Sequence, residues 1–290
     1  MLTAARLAAA GHTVYATLRN FEKRNDLLEE VKRLGGEVQL CQLDVTDELS
    51  IRTTIQKIVT EAGRLHILIN NAGYGIGGFF EDLTEEEVRA QFETNFFGVQ
   101  KVTRAALPLL RSTASRSDNS WSVQIINISS VQGRSALPGM SAYAASKFAL
   151  EGFSESLVHE LRPLGIHVVI VEPGAYQTRI FSENARLAER AFDPQSPYIA
   201  FSVRMWERAN RVTRSSKFAG DPEKVARLLE KIINQPQPRP RYLIGRLAQL
   251  RLLLQKMLPW KLYSNLVQKI AFGDGPINAL NNLDEGNPHT

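Results

Sequence analysis

Two segments, LHILIN at 65–70 and IHVVIVEP at 166–173, are apolar at both odd and even positions, and nothing else in the chain constrains the fold as much. A strand with one wet face alternates in polarity, whereas a strand that does not alternate is covered on both faces, as in a parallel sheet flanked by helices. Around these two runs the hydrophobic period keeps switching between two and 3.6. TVYATL (13–18), EVQLCQLDV (37–45), SVQIINIS (122–129) and RYLIG (241–245) read as further strands. Helices are expected over LLEEVKRLG (27–35), ending at Gly35-Gly36, and over 47–63, stopping at Gly63. A long one follows over 83–111, opened by a Thr84/Glu87 capping box, then others over 142–163 and 221–234, the last with Asp221 as cap and Pro222 at its first position. Strands alternating with helices at this spacing imply an α/β fold, a doubly wound parallel sheet in a single domain.

Two stretches break the rhythm. Residues 176–220 are long and mixed, with exposed-looking aromatics at Tyr176, Phe181, Phe192, Tyr198, Phe201 and Trp206, and are expected to form an insertion over the site. Residues 246–272 are apolar and basic; Leu247, Leu250, Leu254 and Met257 recur at helical spacing, and Pro259 separates two short helices. The division is a catalytic domain over 1–245, incomplete at its N-terminal end, and a C-terminal extension over 246–290. With 43% hydrophobic and 22% charged residues, 290 residues can bury a substantial core. The single cysteine, Cys41, excludes an internal disulfide and fits a reducing compartment, so a cytoplasmic protein is expected. No run of 18 apolar residues suggests a transmembrane helix. The net charge of +5 is concentrated between Glu230 and Asp274, where Arg239, Arg241, Arg246, Arg251, Lys256, Lys261 and Lys269 meet no acidic residue. Such a face suits a peripheral membrane contact, an anionic substrate or nucleic acid, or is simply a solvated basic surface. No RNA-binding motif accompanies it, so nucleic acid is not expected.

The chemistry is concentrated in NISSVQGRSALPGMSAYAASK (127–147). Tyr143 and Lys147, four apart at a helix start, face one side one turn apart. A tyrosine of pKa about 10 is a poor base, but a cation about 4 Å away at an effective dielectric of about 20 favours the phenolate by about 4 kcal/mol. On that reasoning Lys147 should bring Tyr143 towards the range of a general acid-base. Ser129 and Ser130 end the preceding strand, at the carboxyl edge where ligands of parallel sheets gather. Each feature alone is ordinary: the Tyr/Lys pair could be a surface helix pair, Asn-Asn-Ala-Gly at 70–73 a turn, Asp44 a cap, and Pro173-Gly174 a turn. The five histidines lack metal-ligand spacing, so no metal is expected, and GMSAY is not a hydrolase elbow.

Taken together and in order, these features resemble the classical short-chain dehydrogenase/reductase family, whose Tyr-x-x-x-Lys follows a catalytic Ser by thirteen positions, here Ser130. VYATLRN looks most like steroid- and retinol-type members. The resemblance implies a Rossmann-like fold and an oxidoreductase interconverting an alcohol and its ketone or aldehyde, on a hydrophobic substrate. It implies that Tyr143 exchanges a proton with the substrate oxygen and that Ser130 hydrogen-bonds that oxygen. Lys147 would tune Tyr143 and hold the nicotinamide ribose, and Asn95, in ETNFFG, would organise a water-linked proton path. Asp44 and Val45 would meet the adenine, Asn71, Ala72 and Gly73 would line the cofactor, and Pro173, Gly174 and Thr178 would flank the nicotinamide. Because the strand TVYATL ends in Arg19-Asn20, with no carboxylate until Glu22, NADP(H) is favoured over NAD(H). Family members commonly pair through the helices carrying Asn95 and Tyr143, so a homodimer or homotetramer is expected.

The opening MLTAARLAAAGHTVYATLRN reads as the second half of a β-turn-α-β unit. In the family, a strand and a glycine-rich phosphate loop, roughly 15 to 25 residues, stand before such a helix. Their absence here should leave two strand edges unpaired. A competing expectation follows, a non-catalytic protein of this fold with a binding role; the complete Asn95, Ser130, Tyr143, Lys147 set favours the enzyme.

Overall fold

A computed structural model describes residues 1–116, 123–177, 186–214, 219–235 and 237–272, with backbone alone for 208–214. Its elements are α1 (Leu2–Ala9), β1 (Val14–Leu18), α2 (Arg24–Leu34), β2 (Val38–Gln42), α3 (Glu48–Ala62), β3 (Ile67–Asn70), β4 (Ile76–Gly77), α4 (Glu85–Phe92), α5 (Gly98–Ser115) and β5 (Gln124–Ile128). After these come α6 (Ser141–Leu161), β6 (His167–Pro173), β7 (Arg186–Leu187), α7 (Ile199–Arg214), α8 (Glu223–Ile233), β8 (Arg241–Ile244), α9 (Arg246–Met257) and α10 (Trp260–Phe272). All strand pairings are parallel: β3-β5-β6-β8 form a four-stranded sheet, β1 pairs with β2, and β4 with β7. The doubly wound α/β architecture read from the sequence is the one observed.

The apolar runs lie where their patterning requires. Val168 to Val171 of β6 are at most 3% exposed because helices cover both faces. On one face, α5 and α6 bury Ala106, Leu110, Leu157 and Leu161 against Ile125 and Val168. On the other, α8 buries Leu229 and Ile232 against Ile126, Val169 and Val171. A third cluster, Ala5, Ala16, Leu27 and Val31, joins α1 and α2 to β1. Among the described residues β1 pairs only with β2 and β3 only with β5, so each has one edge without a strand partner. Helix α1 lies against α8, where the Arg6 guanidinium reaches Glu223 at 2.6 Å and Glu230 at 2.5 Å.

Three local expectations need correction. The helix over 83–111 is not uniform: α4 starts from the Thr84/Glu87 capping box, but Glu93–Phe97 form a π-helical turn before α5. Nor does it stop at 111: Ser112 and Ser115 continue α5. The aromatics of 176–220 are mostly covered rather than exposed. Tyr176 is buried against Gly220, and Tyr198 stacks on Phe79 at 4.6 Å between centroids. Phe201 packs edge-on to Phe272 of α10, while Phe192 is exposed and Phe181 lies outside the described residues. Two residues of the segment pack on glycines of neighbouring loops. Ala188 sits where a side chain on Gly78 would be, and Met205 sits over Gly139, whose φ of +70° favours glycine.

Candidate active site

The carboxyl ends of β3, β5 and β6 converge at the start of α6. Asn70 and Asn127 are register partners at the ends of β3 and β5, both buried. The Asn70 amide donates to Asn127 Oδ1 at 2.8 Å, and the Asn127 amide donates to Ser154 of α6 at 2.8 Å. This chain of buried amides locks the strand ends to the helix that carries Tyr143 and Lys147, since breaking it would orphan polar groups away from water.

Ser130, just beyond β5, is 6% exposed, and its hydroxyl accepts from Gln132 N at 3.1 Å. Tyr143 and Lys147 are 2% and 4% exposed. The Lys147 ammonium lies 5.9 Å from the centre of the Tyr143 ring and donates to the Ile128 carbonyl at 2.9 Å. Asn95 is fully buried in the π-turn, an insertion that recurs at functional sites. Its Oδ1 accepts from Tyr74 N at 3.1 Å, and its amide donates to Tyr74 O at 3.0 Å and to Ser146 of α6 at 3.2 Å. Ser130, Tyr143, Lys147 and Asn95 are thus brought together by β5, α6 and the π-turn.

The charge balance differs from the sequence-based expectation. Burial pushes the Tyr143 phenol up to about 12, and the Ser130 hydrogen bond offsets only part of it. Burial also draws Lys147 down to about 8, against the opposing pull of Glu151. Desolvation therefore outweighs the attraction of the cation, a term that charge spacing alone does not contain.

The expected cofactor residues lie along the same edge. Gly73 leaves open the space where a Cβ would sit 3.0 Å from Asn95 Oδ1 and 3.9 Å from Lys147 Nζ. Asn71 and Ala72 beside it are exposed, as is Arg19 after β1. Burial opposes ionisation of Asp44, yet the backbone and hydroxyl of Thr46, at 2.9 and 2.7 Å, and the Arg19 charge hold its carboxyl below the ordinary range. Val45 packs on Gly98, where any Cβ would meet it at 2.7 Å. Pro173 and Gly174 end β6, with Gly174 N bonded to Ile244 O at 2.9 Å; Thr178 lies outside the described residues. A bare-backbone cradle at Gly73 beside an ammonium, with an exposed cation at the far strand end, fits a nicotinamide dinucleotide. Among the described residues no cluster of His, Cys, Asp or Glu could hold a metal.

Other members of the neighbourhood escaped the sequence reading. Arg241 of β8 bridges Glu151 and Glu172, and Arg134 reaches Glu172 at 3.2 Å. The Arg186 guanidinium lies 4.8 Å over the Tyr74 ring. Only Glu151 carried a local signal, its position one turn beyond Lys147.

Comparison with known proteins agrees with this architecture. The short chain dehydrogenase family model matches residues 1–188. Among curated relatives, the chain is 37% identical over 269 residues to 3-ketodihydrosphingosine reductase of Bacteroides thetaiotaomicron, covering 92% of this chain and 90% of that one. It is 36% identical over 275 residues to the uncharacterised oxidoreductase YusZ of Bacillus subtilis, covering 94% of each. A solved short-chain dehydrogenase from Streptomyces avermitilis superposes with a TM-score of 0.70 at 32% identity, over 91% of this chain and 93% of that one. With a parallel sheet, a strand-end site suited to a nicotinamide cofactor, and relatives that span nearly its whole length, the chain belongs to the short-chain dehydrogenase family of oxidoreductases.

Proposed function

We propose that the chain reduces the carbonyl of a hydrophobic, lipid-like substrate with NADP(H), and runs the reverse alcohol oxidation. The observation that carries this reading is a buried Tyr143 phenol with the buried Ser130 hydroxyl acting on it and the Lys147 ammonium one turn away. Bound nicotinamide supplies the hydride. With its pKa pushed up to about 12, Tyr143 is protonated at neutral pH and donates its proton to the substrate oxygen, which Ser130 also holds. Lys147, with a pKa of about 8, is mostly protonated at neutral pH and stabilises the phenolate left behind. Asn95 fixes the Tyr74 turn against α6 and so shapes the floor beneath Gly73, next to the proton path.

The exposed Arg19, with no carboxylate at the end of β1, supports NADP(H) through its affinity for a 2′-phosphate. Segment 176–220 acts as the substrate cover. Its Tyr198 and Phe201, with Phe79 and Phe272, form an aromatic cluster suited to an aliphatic chain. The relative that reduces 3-ketodihydrosphingosine supports a long-chain ketone. Exposed Phe97 and Phe148, beside Asn95 and Lys147, support pairing of two copies through α5 and α6.

The test is turnover with NADPH or NADH on 3-ketodihydrosphingosine, steroid, retinoid and small polar carbonyls. NADPH with a long apolar ketone is expected to give the highest kcat/KM, and Arg19→Ala to raise KM for NADPH but not for NADH. Preference for small polar carbonyls, or for NADH, contradicts the reading.

A further inference from the structure

We propose that the outward face of the α9–α10 pair docks on an anionic lipid bilayer. Helix α9 turns two of its polar side chains and Ala248 toward the domain: Arg251 donates to the Ser135 hydroxyl at 3.0 Å and to the Ser135 carbonyl, and Gln255 donates to the Arg134 carbonyl at 3.3 Å. Several of its large apolar residues point out instead. Leu250, Leu253 and Met257, at spacings of three and four, form one stripe that is 50%, 52% and 70% exposed. Trp260 at the turn is 74% exposed, and Leu262 follows at 55%. Nothing among the described residues covers this stripe.

Charge selects the occupant. Arg246, Lys256 and Lys261 are exposed beside the stripe, and residues 231–273 contain no acidic side chain. A second copy laid face to face would set these cations against themselves, whereas an anionic bilayer accepts both the apolar stripe and the cations. An amphipathic helix with Lys and Trp at its apolar border is the composition of a segment that lies in the interface. Among the described residues no helix is long and apolar enough to cross a membrane, so the contact is peripheral. The surface is fixed to the site: Tyr263 of α10, 5% exposed, shares a 2.6 Å hydrogen bond with Ser135, five residues beyond Ser130. This docking does not rest on the substrate proposed above, because the experiment reads binding and not turnover.

The full chain is sedimented with vesicles of phosphatidylcholine alone or mixed with phosphatidylglycerol. Binding to the mixed vesicles is expected, with a blue-shifted emission that Trp260→Phe removes. Each cation at an anionic surface contributes about fivefold, so Lys256→Gln/Lys261→Gln should weaken that binding by about 25-fold. Leu253→Ser, at an exposed position, should weaken it about tenfold. Equal binding to both vesicle types, or no effect of either variant, overturns the proposal. So does an analytical ultracentrifugation result in which Leu253→Ser abolishes self-association, which would make the stripe a contact between copies.

Discussion

Lys147 is held between opposed influences that fix its working range. Burial draws its pKa down to about 8, while the Glu151 carboxylate, one turn along α6, pushes it back up. Removing that carboxylate leaves burial unopposed. Glu151→Gln is therefore expected to move the alkaline limb of the reduction rate to lower pH, with kcat on the acid side nearly unchanged, as read from a pH–rate profile. A limb that stays in place would separate Glu151 from Lys147. Arg241 bridges Glu151 and the fully buried Glu172, so Arg241→Met strands the Glu151 carboxylate, leaves Glu172 only its Arg134 contact, and should cost about 3 kcal/mol in denaturant unfolding. The chemical residue types were legible in sequence because their spacing along α6 is local. Their protonation was not: the phenol's shift to about 12 depends on burial by elements distant in the chain, which no spacing records.

At the scale of elements, most strands and helices followed from hydrophobic period, because each buries one face against a sheet that the pattern itself demands. The π-turn at Glu93–Phe97 did not. ETNFF continues a helical pattern, and only the bonds of Asn95 to Tyr74 and Ser146 reveal the bulge. Gly98, just after it, has no local signature either, yet any Cβ there meets Val45 at 2.7 Å and its carbonyl at 3.2 Å. Gly98→Ala should cost about 1–3 kcal/mol, seen as a lower denaturation midpoint. It should also weaken cofactor binding in a tryptophan fluorescence titration, because Val45 must shift. Loss of stability with unchanged cofactor affinity would remove Val45 from the cofactor wall. The orientation of α9 was equally hidden: its periodicity is clear in sequence, but which face turns inward depends on Ser135 and Gly174, more than seventy residues away.

Across the whole molecule, the β1–β2 pair and the four-stranded sheet share no strand pairing among the described residues; helices and the Val45 contact join them. The Arg6 guanidinium, held by Glu223 and Glu230, is the main polar tie between α1 and α8. Arg6→Ala should therefore speed hydrogen exchange in β1 and β2 more than in β5 and β6, whereas a uniform change would mean that the two groups open as one unit. The same arrangement places Arg19 and Asp44 on one group and Tyr143 and Lys147 on the other, so the proposed site spans both. The proposed chemistry turns on proton donation by Tyr143 to a carbonyl as the nicotinamide is oxidised. The most direct measurement is single-turnover loss of NADPH absorbance with 3-ketodihydrosphingosine, followed through pH 8 in the parent chain and in Tyr143→Phe. The rate is expected to fall above about pH 8 as Lys147 loses its proton, and to vanish in Tyr143→Phe while cofactor binding persists. A Tyr143→Phe chain that still oxidises NADPH at the parent rate would contradict it.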